Sequence, residues 1–209
     1  MGTFIPSCPG VQHYRRAKHD TKKTLAELAG QQRHIKECPV FFVICADYSR
    51  LKQTSEIHHQ TFLAKEVEQV LVGAVDAALV AENMLLAARS FGLGGVMIGG
   101  IRNEPDAVAK LLRLPEYTFP VMGLCVGYPE RVPEQKPRLP QKLVVHEEHY
   151  SEEKRDELLK MYDQITEDYY KERTGGKRVD TWGNQMANHF SKPNRPHVGE
   201  FIRKQGFLE

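Results

Sequence analysis

The sequence has no excess of charge, no cysteine pairing pattern and no uninterrupted apolar run of membrane-spanning length, and each shortage removes a class of function. Its 29 Lys and Arg stand against 27 Asp and Glu, a formal net charge of +2. Binding to nucleic acid through phosphates needs a concentrated basic excess, so nucleic acid is not an expected partner. The four cysteines, Cys8, Cys38, Cys45 and Cys125, form no C-x-x-C pair and suggest no disulfide framework. Cys45 and Cys125 lie in apolar runs, where a thiol behaves as a small hydrophobe, and a reducing compartment is expected. His146 and His149, in HEEH, lack the H-E-x-x-H spacing and any further ligand, so no metal is expected. The first twenty residues carry two prolines and a basic cluster but no apolar signal core. The longest apolar tract, Val70 to Ala88, is interrupted by Asp76, Glu82 and Asn83 and does not read as a membrane span. A cytoplasmic protein with no membrane partner is the expectation left standing.

What is present suits one domain or one subunit of an obligate dimer: 209 residues, 41% apolar and 27% charged. Residues 18 to 30 predict a polar helix with Leu25 and Leu28 on one face and Gly30 as its stop. Pro39 to Asp47 and Thr118 to Gly127 are continuous apolar runs of the kind buried on both faces of a sheet. Residues 48 to 60 read as a loop or loose helix. A long helix is predicted from Leu63 to Phe91, and its second half is apolar nearly all round. A chain of this size cannot easily cover such a helix alone, so burial against a second copy is expected, with Asp76, Glu82 and Asn83 bonded inside that interface. Val96 to Gly100 reads as a short strand, followed by Asn103 as N-cap, Pro105 in the first turn and a helix to Leu114. A charged helix over 151 to 172 carries Leu158, Met161, Ile165 and Tyr169 on one stripe, and two short helices near 180–191 and 197–206 follow. Strands alternating with helices predict a layered α+β or α/β fold.

GLGGVMIGG does not form a dinucleotide fingerprint, because Gly92, Gly94 and Gly95 precede the strand and Met97 stands where the third glycine would be. Gly99 and Gly100 follow it; they either make a tight strand-to-helix turn or let the backbone approach a flat ligand. Lys136 and Arg138, in the proline-stiffened KPRLP, are either a solvated loop or two cations held in place at low entropic cost. Such cations would stabilise the negative charge of a reduced flavin. In RTGGKR, Arg173 and Arg178 either complement a helix C-terminus or grip a phosphate with their guanidinium forks.

AGQQ at Ala29 to Gln32, FFVICAD ending at Asp47, MIGGIRN at Met97 to Asn103, GLCVGYP with KPRLP, and YYKERTGGKRVDTW at Tyr169 to Trp182 occur together. In combination they resemble the oxygen-insensitive NADPH nitroreductase and NADPH flavin reductase group of the nitroreductase superfamily, from about residue 18 onward. The resemblance implies an α+β nitroreductase-like fold over the whole chain, with a central mixed sheet flanked by helices and an intertwined homodimer. It implies FMN held non-covalently at the subunit interface, and ping-pong two-electron transfer from NADPH to nitro compounds, quinones or free flavin. Gln32, Met97, Ile98, Gly99, Gly100, Ile101, Lys136 and Arg138 would contact FMN, and Arg173 and Arg178 the 2′-phosphate of NADPH. No side chain is expected to act as a catalytic acid, since hydride transfer is the cofactor's chemistry.

Residues 1 to 17, MGTFIPSCPGVQHYRRA, depart from the resemblance: the family's leading helix and its H-R-S-I-R phosphate-binding motif are not there. A one-base shift over Cys8 to Ala17 can encode VQAFSIIGV, which resembles the strand expected at this place, so a reading-frame artefact is one expectation. The other takes the chain as written. It then grips the FMN phosphate weakly, and a non-catalytic relative that dimerises is the alternative function.

Overall fold

The computed structural model describes residues 11–14, 19–131 and 134–208, with only the backbone at 11–14 and at His19. The expectation for the first 17 residues falls largely outside this range. Internal packing divides the chain into two compact units, Met1–Glu130 with Arg195–Glu209, and Arg131–Asn194.

The first unit is built on a four-stranded sheet. β1 (Val11–Tyr14), β2 (Val40–Asp47), β3 (Gly94–Ile98) and β4 (Thr118–Gly127) lie in the order β1-β2-β4-β3. All three pairings among the described residues are antiparallel, so the parallel pairing that a mixed sheet requires is not among them. β2 is buried on both faces, as its unbroken apolar run predicted. Phe41, Val43 and Cys45 point into a core with Leu25, Ala29, Ile35 and Ile101, whereas Ile44 points the other way, toward Ala77, Ala81 and Leu124.

α1 (His19–Leu28) and the one-turn α2 (Arg33–Glu37) supply Leu25, Ala26 and Ile35 to the first core. α3 (Ser49–Ile57) is a helix where a loop or loose helix was expected, although none of its residues is buried. Its start is fixed by Asp47, a fully buried carboxylate whose Oδ1 accepts from the Ser49 amide (2.9 Å), the Ser49 hydroxyl (2.5 Å) and the Thr118 hydroxyl (3.1 Å).

The long helix α4 (Val67–Ser90) opens with a reciprocal capping box between Glu66 and Gln69. Its buried face is a row of small residues, Gly73, Ala77 and Ala81, continued by Leu85 and Ala88. Gly73 is required for the close approach: a Cβ there would come to 2.8 Å from that of Ala46 and 3.1 Å from the Tyr48 ring. The opposite face is bare, with Leu71, Val75, Leu79 and Leu86 each more than half exposed. By length and composition alone α4 is long and apolar enough to cross a membrane.

Gly94 and Gly95 begin β3 rather than precede it, and Gly92, at φ +73, alone forms the helix stop. After a 3-10 turn at Gly99–Arg102, α5 (Pro105–Leu112) starts with Glu104 at the N-cap position, not Asn103. Asn103 is used otherwise: its side-chain oxygen accepts from Arg195 Nε at 2.8 Å. α8 (Val198–Lys204) returns Phe201, Ile202 and the following Phe207 to this unit, against Tyr48, Ala109 and Phe119.

The second unit contains α6 (Arg155–Thr174) and α7 (Trp182–Phe190). The expected apolar stripe of α6 is not its buried face. Met161 and Ile165 are exposed, and Tyr162, Thr166 and Tyr170, one position further on, are buried. Hydrogen bonds make these polar residues fit an interior. Tyr162 Oη donates to the Pro137 carbonyl (3.0 Å), and Thr166 Oγ1 accepts from the Trp182 amide (3.0 Å). The Thr181 hydroxyl caps α7 by accepting from the Asn184 amide at 3.1 Å.

Candidate functional site

Two of the predicted stretches meet in the first unit. α1 ends in a left-handed turn at Gly30 (φ +83) and Gln31 (φ +60), and half-buried Gln32 then begins α2. Against this turn packs the end of β3: a Cβ on Gly100 would lie 2.4 Å from the Ala29 carbonyl oxygen, so only glycine permits the contact. A Cβ on Gly30 would come to 3.0 Å from Asn103 Nδ2, tightening the same junction. Gly99 differs. A Cβ there would meet nothing closer than the far end of Arg102, at 3.4 Å, which leaves its main chain approachable.

The surrounding side chains sort by direction. Met97 is 39% exposed, while Ile98 and Ile101 turn into the core and present to a ligand only their main chain. Through the Ala29–Gly100 contact the left-handed turn at Gly30 and Gln31, with Gln32 directly after it, is seated on the Gly99–Gly100 turn. Arg102 joins them, although sequence reading passed over it within MIGGIRN. Burial, followed by the nearby Arg195 charge, pushes its guanidinium below the usual range, and it donates to the Val121 carbonyl. Arg102 lines an apolar cavity with Val70, Phe119 and Phe201, and in the sequence only its place next to the two glycines signalled it.

Cys38, at the other end of α2, is partly buried against buried Cys125. A hydrogen bond from Cys125 pushes the Cys38 thiol down to about 7, opposed by burial and aided by Lys22, while Cys125 itself is pushed up. Cys38, Cys45 and Cys125 are free thiols.

In the second unit the predicted cations are collected by the two tyrosines of YYKER. Arg173 donates to Tyr169 Oη at 2.7 Å, and its Cζ lies 5.7 Å from the centre of that ring. Arg178 Cζ lies 3.8 Å from the centre of the Tyr170 ring, and its Nη2 is 3.1 Å from Asp180 Oδ2. Lys136 Nζ stands 5.7 Å from the Tyr170 ring centre and interacts with its hydroxyl. Arg138 is exposed on the same loop. Three of the four predicted cations are thus held near a pair of adjacent aromatic rings. Among the described residues no cluster of His, Cys, Asp or Glu could hold a metal ion.

Comparison with known proteins decides the family. The profile described as Nitroreductase family matches residues 8–128, and that described as Nitroreductase family, C-terminal domain, matches residues 136–209. The chain belongs to the nitroreductase family. Within the family, the oxygen-insensitive NADPH nitroreductase of Salmonella typhimurium is 43% identical over 186 residues, covering 89% of this chain and 75% of that protein. The FMN reductase (NADPH) of Bacillus subtilis is 40% identical over 192 residues, with 90% and 77% covered. Among solved structures, B. megaterium NfrA1 superposes with a TM-score of 0.93 at 42% identity, covering 96% of this chain and 83% of that one. The α+β nitroreductase fold expected from the motifs is therefore the fold of this chain. The junction of the Gly30–Gln32 turn with Gly99–Gly100 is a feature of a nitroreductase-family subunit.

Proposed function

We propose that this member of the nitroreductase family is an FMN-dependent oxidoreductase that takes a hydride from NADPH and delivers it to nitro compounds, quinones or free flavin. The observation that carries it is the Gly99–Gly100 turn, which Gly100 seats against Ala29, three residues before Gln32, while the space at Gly99 stays open. These residues fit a flavin ring, which needs a flat support and hydrogen-bond partners along one edge. FMN, when bound, supplies the two-electron chemistry, and the protein supplies binding, orientation and charge. Gln32 and the main chain of Met97 to Ile101 hold the ring. Lys136 and Arg138 are the cations assigned to FMN, since positive charge favours the reduced anion. Arg173 and Arg178 take the 2′-phosphate of NADPH, for which guanidinium forks are suited.

The working unit is a homodimer in this proposal, with small-molecule acceptors as its other partners and neither nucleic acid nor membrane involved. The exposed row Leu71, Val75, Leu79 and Leu86 on α4 supports it, because an apolar face of that length on a subunit marks a contact surface. Free thiols at Cys38, Cys45 and Cys125 suit the cytoplasm.

The test is direct. Protein supplied with saturating FMN is expected to bind it and to bleach when NADPH is added without oxygen. A colourless protein that takes up no FMN, or a yellow one that NADPH does not bleach, would overturn the proposal.

A further inference from the structure

The two tyrosines of YY-x-x-R have no part in the function proposed above. We infer that Tyr170 is a positioning residue serving two charges at once: its ring face orients Arg178, and its hydroxyl orients Lys136. The inference rests on the assignment of Arg178 to the NADPH 2′-phosphate and of Lys136 to FMN.

The geometry separates Tyr170 from an ordinary surface ring. It is 6% exposed, and its hydroxyl reaches Gln185 Oε1 at 3.4 Å, so the ring is fixed by the interior of the second unit. Arg178 Cζ at 3.8 Å from the ring centre is at stacking distance, well inside the usual reach of a cation–π contact. The main chain is tied to the same point. Thr174 Oγ1 donates to the Tyr170 carbonyl (2.7 Å) and accepts from the Arg178 amide (2.8 Å). Arg178 follows two glycines in the left-handed region, Gly175 (φ +58) and Gly176 (φ +80), which by themselves would leave its direction loose. Stacking on a fixed ring removes that freedom before any phosphate arrives.

Lys136 Nζ stands 5.7 Å from the centre of the same ring, farther out than Arg178. Burial alone would push the phenol up, but Lys136 and Gln185 hydrogen bonds and the Arg178 charge outweigh it, and the net direction is down. A long lysine on a proline-stiffened loop is thereby given one direction instead of many. The neighbouring Tyr169 treats Arg173 in a similar way, so each tyrosine of the pair takes one arginine.

Three variants test this on the FMN-loaded protein: Tyr170→Leu, Tyr170→Phe and Arg178→Gln, each checked for parental circular dichroism. Binding of 2′,5′-ADP is measured by calorimetry, FMN affinity by fluorescence titration, and KM for NADPH and NADH by turnover. Tyr170→Leu is expected to weaken 2′,5′-ADP and raise the NADPH-to-NADH KM ratio by about tenfold, the order of one desolvated cation–π contact. Tyr170→Phe keeps the ring, so it should hold 2′,5′-ADP as the parent does while losing FMN affinity by about threefold, the order of one hydrogen bond. It reads the Lys136 contact even where Tyr170→Leu does not fold. If Arg178→Gln loses 2′,5′-ADP while Tyr170→Leu does not, the inference is overturned and the proposed function stands. If Tyr170→Phe leaves FMN affinity untouched, the Lys136 half is overturned. An Arg178→Gln protein with parental 2′,5′-ADP affinity removes the assignment on which the inference rests.

Discussion

Replacing Gly100 with alanine places a methyl group 2.4 Å from the Ala29 carbonyl oxygen and 3.2 Å from its carbonyl carbon. Even close C–H···O contacts keep about 3.3 Å between carbon and oxygen, so the two segments must part by about 1 Å. Overpacking of this kind against backbone costs about 1–3 kcal/mol. For a chain of this length that lowers Tm by roughly 2–12 °C. Gly99→Ala is the paired perturbation. Its methyl meets only the flexible end of Arg102, at 3.4 Å, so stability should change by less than about 0.5 kcal/mol. If bare main chain at Gly99 supports the flavin ring, the same methyl stands where the ring must lie. FMN affinity then falls by about tenfold or more, the order of a 1–3 kcal/mol clash. Thermal melts of the flavin-free proteins and fluorescence titration with FMN read the two effects separately. The expected pattern is crossed: Gly100→Ala loses stability, and Gly99→Ala loses flavin affinity alone. A Gly99→Ala protein that binds FMN as tightly as the parent would refute the assignment of this turn to the ring.

Leu79→Asp puts a charge in the exposed apolar row of α4 and should convert a dimer to a folded monomer by analytical ultracentrifugation. A variant that sediments as the parent does removes α4 from the interface. Cys38, pushed down to about 7 by its hydrogen bond from Cys125, ionises below a free cysteine, so its alkylation should rise through neutral pH. Cys45, pushed up to about 12 by burial, should stay unlabelled over the same range; peptide mapping that finds Cys45 labelled first contradicts this. Asp47→Ala leaves the Ser49 and Thr118 donors without their acceptor in a fully buried place. Its cost should be about 2–4 kcal/mol in urea unfolding, and a loss under about 1 kcal/mol would show that the cap is dispensable.

The elements legible in the sequence were those whose periodicity reports burial directly. β2 and β4 are apolar without interruption because both sheet faces are covered, and the observed strands fall within a residue of the expected ones. α4 was legible for the same reason, and even its unpaired face could be anticipated from the number of apolar residues. α6 was misread because hydropathy counts Tyr162, Thr166 and Tyr170 as weak core formers, yet their hydroxyls find partners inside the second unit. Met161 and Ile165, the better hydrophobes, face outward. α3 has no buried residue to produce a pattern; its start is set by Asp47, which reads in sequence only as the end of a strand. At the site, the glycines were visible as residues, but the contact of Gly100 with Ala29 joins positions 71 apart and has no local signature.

The two arginines assigned to NADPH do not have equal tasks. Among the described residues Arg173 has no carboxylate partner, being held by the hydroxyl and ring of Tyr169. A neutral contact leaves its charge available, so a phosphate approaching Arg173 gains the full attraction. Arg178 already has Asp180 at 3.1 Å, and a phosphate must compete with that carboxylate. What Arg178 offers instead is orientation, since the Tyr170 ring and Thr174 hydroxyl fix both its guanidinium and its amide. A fork fixed in advance loses less entropy when it closes on an anion. If both arginines take the NADPH phosphate as proposed, attraction belongs mainly to Arg173 and geometry to Arg178. On this division a lysine should substitute better at 173 than at 178, because an ammonium keeps the charge but not the planar face that stacks on Tyr170.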